Sequence, residues 1–284
     1  MHIVVIGLGL IGGSLGLALH EVHEPGWDVV GYARRPELAA QMLSLGVVDR
    51  VETNLRQVVQ EADVVVVATP VVAVREVLSR ISNSVPRGCV VTDTASTKFE
   101  VMKWAEELLP PTVNFIGGHP MAGKETYGVQ AAEASLFRGH MWCLTPSRRA
   151  SPASVKQITS ILSKVGAIPL VMDAREHDNL VAGISHLPML LSAALTSVTT
   201  SSSSWQAMSR LAASGYRDLT RLAAGSPEVN SDICITNKEA IVSWIDQFIA
   251  ELEEYRALVM AGDERLQRKL AAANRARQQW LDKT

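Results

Sequence analysis

Along the first 170 residues, short apolar runs alternate with stretches of helical spacing, and beyond them the short runs stop. The runs are His2–Ile6, Trp27–Tyr32, Val47–Val51, Asp63–Ala68, Cys89–Asp93, Val113–Ile116, Met141–Thr145 and Ala167–Met172. Rich in Val and Ile and bounded by Gly, Pro or polar clusters, they predict strands, buried on both faces where the run is unbroken. Between them, helices are predicted from Leu15, over Pro36–Leu45, Asn54–Glu61 and Val74–Ile81, and from Pro152 to Val165. Ser151 supplies the last of these with an N-cap oxygen, and Pro152 has the preset φ of a first helical residue. Strands alternating with helices imply an α/β fold with a doubly wound, mostly parallel sheet.

After residue 172 the pattern is helical throughout, which places a domain boundary there: 1–172 for the sheet domain and 173–284 for an all-helical C-terminal domain. Asp173 is placed as the cap of a long helix toward Ser197. Pro188 removes the backbone bond to the carbonyl of residue 184, so a kink is expected beside His186. Thr199–Ser204, small and polar, reads as a loop. Ile241, Ile245, Phe248, Leu252, Tyr255 and Val259 recur in alternating steps of four and three, a heptad seam. Packing within the chain and a symmetric homodimer explain that seam equally well. A last helix, Asp263–Leu281, carries Arg265, Arg268, Lys269, Arg275 and Arg277, read as a solvated face.

The first strand runs straight into Gly7-x-Gly9-x-x-Gly12 and then a helix, the layout of a Rossmann dinucleotide site. Gly7 permits the tight turn, Gly9 admits a pyrophosphate against the backbone, and Gly12 lets helix and strand pack closely. The free N–H groups at the helix start, around Leu10 and Ile11, would hold the phosphates. After the second strand comes Tyr32-Ala33-Arg34-Arg35, without the acid that usually meets the 2′-hydroxyl of NAD. Arg34 and Arg35 suit a 2′-phosphate, so the expected cofactor is NADP, with NAD possible. Ligands in such sheets bind at the carboxyl ends of strands, which singles out Thr69 and Pro70, the Asp93–Lys98 segment, and His119 in Gly117-Gly118-His119-Pro120. From these residues alone, His119 reads equally as a group facing substrate and as a turn histidine capping the backbone.

Composition narrows the partners. At 284 residues, 47% hydrophobic and 20% charged with net charge −2, the chain gives no electrostatic case for nucleic acid or an acidic membrane. Cys89, Cys143 and Cys234 form no CxxC pair, so neither a metal site nor a disulfide framework is expected, and a cytoplasmic setting fits. No signal peptide fits before a strand that starts at residue 2. The uncharged run Leu180–Thr200 is long enough to raise a membrane span, but His186, Pro188 and its Ser and Thr residues favour a buried helix.

Gly-Gly-His-Pro-Met-Ala-Gly at 117–123, preceded by Asp-x-Ala-Ser-x-Lys at 93–98 and the N-terminal glycine loop, resembles the prephenate and arogenate dehydrogenases of tyrosine biosynthesis. Ile184-Ser185-His186-Leu187-Pro188 and Ser214–Arg221 follow in the family's order. The resemblance implies oxidative decarboxylation of prephenate or arogenate, a small-molecule substrate, with hydride transfer to the nicotinamide. It implies His119 as the acceptor of the substrate hydroxyl, with Ser96 sharing that contact. Arg217 is implied as a carboxylate clamp, His186 as a pocket residue, and Glu125 as a group that bonds or gates the pocket. It also implies a homodimer. Lys124 departs from the Ser or Thr common there, and no fused mutase or regulatory domain is expected. Two other readings remain: another two-domain β-hydroxyacid-type dehydrogenase, for which Lys238 is the nearest catalytic lysine but lacks a supporting motif, and a non-catalytic NADPH sensor, which would have no use for the 96, 119, 186 and 217 set.

Overall fold

The structure is a computed structural model and describes residues 1–284 except 35, 125, 127, 283 and 284. The chain divides into two compact units, Met1–Lys238 and Glu239–Thr284.

In the first unit the predicted alternation is realised. β1 (His2–Ile6), α1 (Leu10–Val22), β2 (Asp28–Tyr32), α2 (Pro36–Ser44), β3 (Arg50–Glu52), α3 (Leu55–Val58), β4 (Val64–Val67), α4 (Val71–Ile81), β5 (Val90–Asp93), α5 (Phe99–Leu108), β6 (Asn114–Pro120), β7 (Met141–Pro146), α6 (Pro152–Lys164) and β8 (Ile168–Val171) follow in order. They build one sheet in the order β3-β2-β1-β4-β5-β6-β7-β8. Strands β1 to β6 are parallel, β7 runs antiparallel to β6, and β8 is parallel to β7. The strand order reverses between β1 and β4, which opens a crevice at their carboxyl ends. Successive side chains alternate between faces. Ile3 and Val5 pack with α1 and α6 on one side, and Val4 and Ile6 with α3 and α4 on the other.

Several boundaries differ from expectation, for physical reasons. Val47 and Val48 are not strand but a buried turn, because α1 lies directly against them; a Cβ on Gly16 would stand 1.9 Å from the Val47 carbonyl oxygen. The edge strand starts later, at Arg50. The strand expected at Val113–Ile116 runs on to Pro120, since Gly118 and His119 pair with Leu144 and Cys143 of β7. The helix expected over Asn54–Glu61 is the short α3, capped by the Asn54 carboxamide through the amides of Arg56 and Gln57. The expected caps at Ser151 and Asp173 form through their side-chain oxygens.

After β8 the unit is helical: α7 (Ala174–Val181), α8 (Leu187–Thr200), α9 (Trp205–Leu211), α10 (Ser214–Thr220) and α11 (Pro227–Thr236). Where a kink was expected, a π-helical turn over Ala182–His186 joins α7 to α8, with the Leu187 amide bonded to the Ala182 carbonyl. Such turns are the usual relief for an interrupted helix ladder. Helix α8 continues to Thr200, so the expected loop shrinks to residues 201–204. The run Ala174–Thr200 is long and apolar enough to cross a membrane by length and composition. It is not the wholly buried helix expected: Ile184 and Val198 are each 73% exposed, while His177, Asp178 and His186 are buried.

The second unit comprises α12 (Lys238–Ala261), which begins one residue before it, and α13 (Arg265–Leu281). Lys269 bonds to Glu251 at 3.0 Å and to Glu254, so part of the expected solvated basic face is spent on ion pairs.

Candidate active site

The glycine loop forms the predicted turn. Gly7 has φ +95°, and a Cβ on it would stand 2.5 Å from the Ala68 carbonyl oxygen. A Cβ on Gly12 would stand 2.1 Å from the Gly7 carbonyl oxygen, so strand and helix meet here without side chains. A Cβ on Gly9 would meet nothing within 4 Å. Gly9 therefore borders open space, and α1 starts there with no side chain capping its first amides, those of Leu10 and Ile11 included. A cleft of about 810 Å³ opens beside the loop, lined by Gly7, Tyr32, Arg34, Thr69, Pro70 and Arg80 among others. The Thr69 hydroxyl is buried without a hydrogen-bond partner among the described residues. A bare helix start, an orphaned hydroxyl and two guanidinium groups, with no lining carboxylate among the described residues, fit a dinucleotide with phosphate groups. Arg80 was not foreseen; it sits on α4 and pairs with Glu76 at 3.4 Å. Arg35 and Glu125 lie outside the described residues.

Asp93 ends β5, fully buried, and is not among the residues lining the cleft. Its carboxylate accepts from the Ala95 amide at 2.8 Å, the Gly118 amide at 3.1 Å and the Lys98 ammonium. Lys98, also fully buried, donates as well to the Gly118 carbonyl at 2.6 Å. This pair staples β5 to β6 one residue before His119. Burial pulls the Lys98 ammonium below its usual range, against the opposing pull of Asp93. Gly117 and Gly118 clear space for neighbouring protein groups. A Cβ on Gly117 would stand 2.8 Å from the Met102 sulfur, and one on Gly118 2.4 Å from the Asp93 carbonyl oxygen.

His119 is 9% exposed. Its Nδ1 lies 2.8 Å from His177 Nε2, and His177 Nδ1 lies 2.7 Å from Asp178 Oδ1. Asp178 also caps α5, accepting from the Lys98 amide at 2.7 Å and the Phe99 amide at 2.9 Å. His186 is buried beside this group; the Asn237 amide reaches its Nδ1 at 3.2 Å and the Asp178 carbonyl at 2.8 Å. Among the described residues, His186 Nε2 has no partner. Burial, then His177, Lys98 and His186, hold the His119 imidazole well below its usual range. Burial lowers His186 to about 4. Both rings are therefore neutral at physiological pH.

The structure thus brings together His119 and His186 with three residues the sequence reading did not single out: His177, Asp178 and Asn237. A signal was present for two of them. Ala174, His177, Asp178 and Val181 are spaced as the buried face of α7, and a His-Asp pair at core positions needs partners. Ser96 lies half-buried in the loop after β5 and takes no part in this hydrogen-bond network. Arg217 is exposed on α10.

Residues 15–170 match the family described as prephenate dehydrogenase, nucleotide-binding domain, and residues 173–272 match prephenate dehydrogenase, dimerization domain. The prephenate dehydrogenase of Bacillus subtilis (strain 168) is 36% identical over 263 residues, covering 92% of this chain and 71% of that protein. A crystal structure of prephenate dehydrogenase from A. aeolicus in complex with hydroxyphenyl propionate and NAD+ is 27% identical with TM-score 0.91, covering 98% of each chain. Synechocystis arogenate dehydrogenase is 29% identical with TM-score 0.85, covering 99% of this chain and 100% of that one.

Proposed function

The chain belongs to the prephenate dehydrogenase family, and on that premise we propose which of its residues carry each part of the reaction. The enzyme is an oxidoreductase that oxidatively decarboxylates prephenate or arogenate with a nicotinamide dinucleotide, in aromatic amino acid biosynthesis. Its substrate is a cyclohexadiene with a 4-hydroxyl and a ring carboxylate, carrying a pyruvyl or an alanyl side chain. The bound dinucleotide supplies the acceptor for the hydride that leaves ring carbon 4. The carboxylate departs as carbon dioxide, and the ring becomes aromatic.

His119 accepts the hydrogen of the 4-hydroxyl as positive charge develops on ring carbon 4. One observation carries this assignment: a neutral, burial-depressed imidazole at the carboxyl end of β6, with one ring nitrogen held by His177. A neutral imidazole is the base that chemistry needs near pH 7. Ser96 shares the hydroxyl, and Arg217 clamps a substrate carboxylate with its planar guanidinium. His186, with a buried ring nitrogen that has no partner among the described residues, meets a substrate oxygen. Glu125, which follows His119 in the sequence, is assigned from the family resemblance as a group that bonds or gates the pocket.

NADP is the preferred cofactor on this reading, because Arg34 lines the cleft with Arg80 and no carboxylate among the described residues lines it. The active assembly is a homodimer through the helical C-terminal domain from residue 173. The dimerization-domain match and the exposed Leu252 and Val259 on α12 support it. We place the enzyme in the cytoplasm, where its free thiols stay reduced.

The deciding experiment is steady-state kinetics of His119→Asn against wild type, with prephenate and arogenate offered separately. Turnover falls by roughly 10²–10⁴-fold while KM changes little. A variant turning over at the wild-type rate removes the assignment.

A further inference from the structure

We propose that His177 and Asp178 form a closed proton relay behind His119, which fixes the protons on both histidine rings and holds the hydroxyl proton during turnover. The proposal rests on the reading of His119 as the base.

The hydrogen-bond partners assign the protons. Asp178 accepts two backbone N–H groups, from Lys98 and Phe99, and can only accept from His177 Nδ1 as well. His177 therefore carries its proton on Nδ1, and with one proton on the ring its Nε2 is bare. The 2.8 Å contact between His177 Nε2 and His119 Nδ1 needs a proton, and His119 must supply it. That leaves His119 Nε2 as a bare acceptor for the substrate hydroxyl.

His186 is set the opposite way. The Asn237 amide nitrogen is identified by its bond to the Asp178 carbonyl, so its second hydrogen points to His186 Nδ1. Nδ1 then accepts, and His186 Nε2, the atom without a partner, carries the proton. The two neighbouring rings thus offer one acceptor and one donor.

The chemistry balances. As hydride leaves ring carbon 4, the substrate O–H bond breaks and His119 Nε2–H forms. His119 Nδ1–H breaks and His177 Nε2–H forms, which rests the positive charge on His177 against the Asp178 carboxylate. When the ring carboxylate leaves as carbon dioxide, its bonding pair flows through the ring to the oxygen, which takes its proton back by the reverse path. Substrate and product both carry the hydroxyl proton, so no net proton is released and the relay needs no outlet to water. His177, at 0% exposure, has none of its own. The other titratable groups acting on His119 are Lys98 and His186.

The test uses ¹⁵N-histidine NMR of the wild-type enzyme, with rings assigned by single substitutions, and kinetics of His177→Gln. A glutamine oxygen still accepts from His119 Nδ1 but cannot take its proton. Asp178→Asn is a poorer choice, because it also disturbs the cap of α5. Expected are the Nδ1–H tautomer at His119 and the Nε2–H tautomer at His186. For His177→Gln, kcat falls roughly 10–100-fold at unchanged KM, the scale of losing the outer partner of a working histidine. An Nε2–H tautomer at His119 overturns the proposal, and so does a His177→Gln enzyme with wild-type kcat. Should His177→Gln fail to fold, the wild-type tautomers still decide. Failure of the His119 reading itself would show separately, as undiminished turnover in His119→Asn.

Discussion

Replacing Lys98 by Met tests what holds His119 in place. Methionine keeps the unbranched stem but removes the ammonium. Asp93 would retain the Ala95 and Gly118 amides at 2.8 and 3.1 Å, and lose its only countercharge among the described residues. The Gly118 carbonyl would lose a donor at 2.6 Å. Both side chains are 0% exposed, so solvent cannot compensate. Stranding one member of a buried pair costs about 3–5 kcal/mol. The double variant Lys98→Met with Asp93→Asn removes both charges and should cost less than the sum of the singles, with a coupling of about 1–3 kcal/mol. Urea unfolding followed by tryptophan fluorescence, at fixed protein concentration, reads these values, and Trp142 lies beside Gly118 as a local reporter. Lys98→Met within about 1 kcal/mol of wild type, or strict additivity in the double variant, would refute the idea that this pair staples β5 to β6.

Acidification should destabilise the apo enzyme. The folded values for His119 and His186 lie below the unfolded value of 6.5, so the unfolded chain binds more protons below that pH. Stability is then full above about 6.5 and falls toward about 4, with His186 alone contributing roughly 3 kcal/mol. A denaturation midpoint that is flat between pH 7 and 4.5 contradicts this. Arg34→Ala should shift preference from NADP toward NAD by about 1–3 kcal/mol in kcat/KM, the scale of a lost charge-assisted bond; a wild-type enzyme favouring NAD removes that reading. Phe248→Glu with Leu252→Glu should yield monomers by light scattering, and a wild-type monomer at micromolar concentration ends the dimer proposal.

Much of the first unit was legible because its signals are local. The Gly7–Gly12 turn, the Ser151 and Asp173 caps and the Val-rich strands each depend on a few adjacent residues. What was not legible depends on partners distant in sequence. Gly117-Gly118-His119-Pro120 has poor strand propensity and becomes strand only because β7 pairs with it. Val47 and Val48 look like strand but are taken by the close approach of α1 at Gly16. Asp93 sits where ligand-binding residues sit in such folds, yet Lys98 and two amides claim its carboxylate. The bonds joining His119 to His177, and Asp178 to the start of α5, span 58 to 80 residues, and no short pattern encodes them.

The cap on α5 also imposes an order in time. Asp178 lies 80 residues after the Lys98 amide it accepts. At a synthesis rate of about 5–20 residues per second, roughly 4–16 s separate their emergence from the ribosome. Over that interval the nascent chain can assemble β1 to β8, but the first amides of α5 have only water, and His119 has nothing behind it. One short helix, α7, then seals α5 and seats the histidine together. A chain released at residue 172 would hold every strand of the sheet but neither His177 nor Asp178 behind His119, so completion of the sheet unit and seating of that histidine are a single late event.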